Sequence, residues 1–141
     1  MTTAALRSAP SSPHVGQIEF GATRRARRGW AGTATVEYDG ETWAIDLDMI
    51  DVYLSEMLGF FDEIAAPDWT GPSQWQSEFA ELTIDAQDGQ DALVALDVRL
   101  WWSRGDELDN ERYGQLIVRR DVLPQFAHEL RELTGRKRPT A

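Results

Sequence analysis

Apolar residues fall along this chain in two rhythms, one of period two and one of period three to four, and their order predicts the architecture. Residues 15–23 set Ile18 and Phe20 between polar neighbours, a first strand. Residues 30–38 form a second, with Ala34, Val36 and Tyr38 on one side and Thr33, Thr35 and Glu37 on the other. Asp39-Gly40 then makes a two-residue hairpin turn, because both central positions of a type I′ turn need positive φ. Residues 42–52 continue as a third strand, Trp43, Ile45 and Leu47 facing one way and Asp46 and Asp48 the other. From residue 54 to 65 the spacing turns helical: Leu54, Leu58, Phe61 and Ala65 recur, with Met57, Phe60 and Ile64 beside them. Ser55 reads as the N-cap, and Pro67 closes the run because the residue before proline disfavours helical geometry.

A loop follows, built on Trp69 and Trp75 around the breakers Gly71 and Pro72. Residues 79–86 set Leu82 and Ile84 against Glu81 and Asp85, and Asp88-Gly89 makes a second turn. Residues 92–102 are the most apolar stretch, which predicts a central strand, and residues 112–118 form the last. In the terminal helix Leu123, Phe126, Ala127, Leu130 and Leu133 mark one face. Asp121 caps its start, Pro124 lies in the first turn and Gly135 is placed for the C-cap. The expected fold is therefore α+β: a six-stranded antiparallel sheet in βββαβββα order with both helices packed on one face. Residues 1–14, rich in Ser, Pro and Ala, read as a disordered leader, 15–135 as a single domain and 136–141 as a basic tail.

Composition narrows the chemistry. A chain of 141 residues, 42% hydrophobic, can bury one core unaided. The absence of cysteine excludes thiol catalysis, disulfides and zinc–thiolate sites. No apolar run approaches the ~20 residues of a membrane span, and no signal-peptide core opens the chain, so the expectation is a cytoplasmic protein. Charge is segregated. Between residues 31 and 111 stand 20 acidic residues and only two basic ones, Arg99 and Arg104. A segment of that sign repels a phosphate backbone, so direct nucleic-acid binding by it is not expected. The basic run at 24–28 (RRARR) reads either as a solvated turn or as an anion contact.

Catalytic groups are scarce. His14 lies in the leader and His128 on the terminal helix, and neither has a partner in the sequence. No serine has a nucleophile-elbow context, and no glycine loop has the spacing that cradles phosphate. The acids at 104–111 could hold a cation but lack the EF-hand spacing and its central glycine. No catalytic residue, metal ligand or cofactor is therefore assigned. The six tryptophans either lid the core or, in the case of Trp69 and Trp75, anchor a partner.

The residues MLGFFDEIA (57–65), Trp69-Thr70-Gly71 with Trp75, Glu81-Leu82 and the Asp88-Gly89 turn form a pattern of their own. In these positions the chain resembles an uncharacterised actinobacterial family of small domains of unknown function, a resemblance that implies no activity. In size and acidity it is also similar to the immunity factors found beside bacterial toxins. The expectation is a non-enzymatic protein-interaction module, of the immunity-inhibitor type, that meets a basic protein partner through Trp69, Trp75, Asp46, Asp48, Glu81 and Asp85. The alternatives are a small-ligand binder or carboxylate-dependent hydrolase with a pocket between sheet and helices, and a structural subunit of a phage or larger assembly.

Overall fold

A computed structural model describes residues 3–22, 29–102 and 110–136. The strands are β1 (Thr3–Arg7), β2 (Gly16–Ala22), β3 (Trp30–Tyr38), β4 (Glu41–Met49), β5 (Ser73–Gln76), β6 (Leu82–Asp88), β7 (Leu93–Trp102) and β8 (Asn110–Arg119). Helix α1 (Asp51–Ala65) follows β4, and α2 (Leu123–Thr134) follows β8 through a single 3-10 turn, Arg120–Val122. Two antiparallel four-stranded meanders result, β1-β2-β3-β4 and β5-β6-β7-β8.

This corrects the expected single six-stranded sheet. Two strands escaped the periodicity. β1 lies inside the segment read as a disordered leader and has only Ala4 and Leu6 pointing inward. β5 is four residues long and has only Trp75 pointing inward, within what read as a loop. With one more strand each, both halves complete a meander before their helix, and no ladder pairs a strand of one with a strand of the other. Among the described residues one backbone hydrogen bond links them beyond the ladders, from the Ala9 N–H, just past β1, to the Ile117 carbonyl of β8 at 2.7 Å.

Other local expectations hold or shift for identifiable reasons. Asp39 and Gly40 take φ of 49° and 86°, as a type I′ turn requires. Gly135 ends α2 at φ 70°. β7 lies between β6 and β8, the central position its apolar run implied. At the second turn, by contrast, positive φ falls on Gln90, Asp91 and Ala92, while the Asp88 carboxylate accepts the Gln90 N–H at 3.1 Å. Helix α1 starts before Ser55, with Ile50 at the N-cap position and Asp51 in the first turn, where an acid complements the helix dipole. Asp121 lies in the 3-10 turn rather than capping α2, whose N-cap position is Val122.

Both halves are antiparallel meanders whose inward rows can be set side by side. The cross-strand row Ala4, Phe20, Ala34, Ile45 of the first sheet matches Trp75, Ile84, Val98, Gly114 of the second. Helix packing crosses between the halves: α2 lies against β1 and β2, α1 against β5, and the helices against each other. One apolar core receives the inner faces of both sheets and both helices. At its centre Phe61 of α1 meets Phe20 of β2, Phe60 of α1 and Phe126 of α2 edge-on, with centroids 6.0, 5.0 and 5.0 Å away. The Arg131 guanidinium, only 12% exposed, adds a polar tie between the helices through Nε to the Asp62 carboxylate at 3.1 Å.

Phe61→Ala would remove contacts to both helices and the first sheet at once. The expected cost is about 3–5 kcal/mol of stability, read from the denaturation midpoint, with both sheets lost in one transition.

Candidate interaction surfaces

The two tryptophans expected to anchor a partner belong to the core. Trp69 is 7% exposed and Trp75 4%. The loop after α1 closes over the core and is fastened there: the Trp69 indole N–H donates to Ser73 Oγ at 2.9 Å, and the Ser73 hydroxyl donates to Glu63 at 2.8 Å. Arg120 clamps the same ring. Its guanidinium stands 5.5 Å from the Trp69 ring centroid and donates to the Trp69 carbonyl at 2.7 Å, with Asp88 at 3.5 Å. Gly71 lies so close that a Cβ there would be 2.8 Å from the Trp69 ring. Neither side chain is therefore the exposed loop anchor expected, although Trp75 also lines a recess beside α1. The Arg120 clamp carried no sequence signal, because its partners are 51 and 32 positions away along the chain.

The four acids of that set separate. Glu81 is occupied internally, accepting from the Ser77 hydroxyl and the Phe79 N–H, each at 3.0 Å, and so holding the β5–β6 turn. Asp46 and Asp48 are exposed on the outer face of the first sheet. Strand register puts Ala5, Glu19, Ala31, Thr33, Thr35, Glu37, Thr42 and Ala44 on that same face. Most of these side chains are short, so four carboxylates (Glu19, Glu37, Asp46 and Asp48) rise from a low floor. Arg7, on the edge strand and bonded to Gln17 at 3.2 Å, is the one cation among the described residues of this face.

Asp85 lies on the outer face of the second sheet, directly across from Asp97. Facing like charges cost stability, partly offset here by the Gln115 amide donating to Asp97 at 3.0 Å. That face is mixed in character, with Arg99 3.5 Å from Glu111 and exposed Tyr113. The Tyr113 hydroxyl donates to Glu111 at 2.9 Å. This hydrogen bond, followed by slight desolvation and the charge of Glu111, raises the phenol above its ordinary value of 10.0.

Both histidines have acidic partners. His14 Nδ1 lies 2.8 Å from Asp39 and its ring stacks obliquely on Tyr38 at 5.1 Å, which pins the β1–β2 connection to the β3–β4 turn. His128 Nε2 lies 2.7 Å from Glu132 one turn along α2. Among the described residues no three metal-ligating side chains converge. The basic run at 24–28, most of the acidic loop at 104–111 and most of the tail fall outside the described residues. No helix among them is long and apolar enough to cross a membrane.

Surface recesses among the described residues include three, two of them between a strand and a helix. One of about 610 Å³ lies between β1 and α2, lined by Thr3, Ala5, Arg7, Val122, Gln125 and Glu129. Its counterpart in the other half, about 590 Å³, lies between β5 and α1. A third, about 450 Å³, runs from Arg7 and Gln17 to Glu37 and Thr42. Sequence reasoning missed the first two because each is walled by a strand it did not see. Comparison with known proteins finds no matching family model and no curated protein that matches.

Two outcomes are expected. Replacing Arg120 by Met removes the clamp, and Trp69 should then show red-shifted emission with a loss of about 1–3 kcal/mol in stability. Tyr113 should ionise above the ordinary tyrosine range in an ultraviolet titration, and Glu111→Gln should bring it back down. Because the folded state holds the phenolic proton more tightly, this contribution to stability is complete below pH 10 and disappears as pH rises through the folded value.

Proposed function

We propose that the protein is a non-enzymatic protein-interaction module that docks through the outer face of its first sheet onto a basic surface of a partner. The observation that supports this reading is that Glu19, Glu37, Asp46 and Asp48, spread over four successive rungs of β2, β3 and β4, share one face with mainly alanine and threonine between them. Such a face has two useful properties. Its relief is low, so a broad partner can approach without displacing long side chains. Its charge is of one sign over most of its width, which speeds encounter with cations and repels other acidic proteins. An immunity-type inhibitor that covers a basic toxin or nuclease needs both properties. The reading takes the protein as cytoplasmic, a setting that suits a chain without cysteine.

Asp46 and Asp48 are exposed, so reversing them should change stability by no more than about 0.5 kcal/mol. Capture from host-cell extract at low salt should recover a basic protein, and added salt should weaken the association steeply. The double variant Asp46→Lys, Asp48→Lys should lose that protein. Unchanged capture by the variant, or capture that ignores salt, would contradict the proposal.

A further inference from the structure

The recess between β5 and α1 has the form of a strand-binding groove. β5 is an edge strand, paired only with β6. The Ser77 N–H bonds to the Leu82 carbonyl at 2.9 Å, and alternation from that bond turns the backbone groups of Trp75 and Ser73 toward β6. Gln74 and Gln76 therefore direct their N–H and C=O groups to the free edge. Among the described residues no backbone hydrogen bond from outside the β5–β6 ladder reaches either one.

Across the groove stands α1, with Glu56, Gly59, Phe60 and Glu63. Gly59 is the central feature. It lies in the middle of a helix, where glycine costs about 1 kcal/mol against alanine. No packing requires it, since a Cβ placed there would meet nothing within 4 Å. Gly59 is among the residues that line the groove, so its missing side chain leaves open space there. Trp75 contributes to the wall, 4% exposed, and its indole N–H finds no acceptor among the described residues. Unpaired edge amides, an apolar wall and room for a chain are what strand addition uses.

The charge of the rim selects the occupant. Glu56 and Glu63 line the groove and, among the described residues, no cation does. A second copy of this chain adding β5 to β5 would bring these carboxylates against their own kind. We infer that the groove takes an extended basic segment of a partner protein, which adds a strand to β5 and sets alternate Lys or Arg side chains against Glu56 and Glu63. This site lies on the second sheet and α1, so it does not rest on the acidic face of the first sheet.

The test uses the full chain as bait for a displayed library of random short peptides. The expected enrichment is for sequences with Lys or Arg at alternate positions. Gly59→Leu should fill the groove while favouring the helix, and should weaken an enriched peptide about ten-fold or more, equivalent to ~1.4 kcal/mol. Asp46→Lys with Asp48→Lys should leave the peptide affinity within about two-fold, the scale of long-range screening alone. On binding, exchange of the Gln74 and Gln76 amides should slow. An enriched set without alternating cations, no enrichment, unaltered affinity in Gly59→Leu, or a concentration-dependent dimer abolished by Gly59→Leu would overturn the proposal.

Discussion

The edge-on packing of Phe61 against Phe20, Phe60 and Phe126 is the contact on which the rest of the structure depends. Each meander alone would be a four-stranded sheet with one apolar face exposed, and each helix a single amphipathic turn-run without a partner. Crossing the helices solves both problems together. The helix from the first half covers β5, the helix from the second covers β1 and β2, and the phenyl rings meet where the two helices touch. Each aromatic contact is worth about 0.5–1.5 kcal/mol beyond the area it buries. Their larger effect is positional, because they hold the inner faces of both sheets against one core and so fix which faces remain outside.

From that constraint the surfaces follow. The inner faces are fully committed, as at Gly114, where a Cβ would come within 2.9 Å of the Tyr38 ring. Trp43 and Arg112, which occupy matching rungs of β4 and β8, face each other with the guanidinium 6.0 Å from the ring centroid. Among the described residues, the surfaces open to a partner include the outer face of each sheet and the two strand–helix grooves that the crossing creates. The grooves are similar in construction and different in charge: Arg7 joins Asp121 and Glu129 in the one beside α2, whereas Glu56 and Glu63 are the charged residues lining the one beside α1 among the described residues. Two meanders of the same strand order thus present two unlike surfaces.

Much of this plan was legible from the residues, and the gaps have physical causes. The six longer strands, both helices, the Asp39-Gly40 turn and the central place of β7 follow from local periodicity and turn chemistry. The division into two sheets does not, because it depends on which edges pair, a choice made between residues far apart in sequence. β1 and β5 each signal with too few inward residues to stand out from a loop. Sequence allows the tryptophan loop to be either a lid or an exposed anchor; its burial is visible only in the fold, where Arg120 clamps Trp69. Of the six expected contact residues, Asp46 and Asp48 lie together on one open face. Asp85 lies on the other sheet, Glu81 bonds within its own turn, and Trp69 and Trp75 are core.

If one core holds both halves, opening one must open the other. Native-state amide hydrogen exchange resolves this residue by residue across the denaturant range. The slowest amides of β2 and β3 should share a single opening free energy with those of β6 and β7. Protection that persists in the second sheet after the first has exchanged would show two independent units, and the fixed surfaces built on a common core would have no basis.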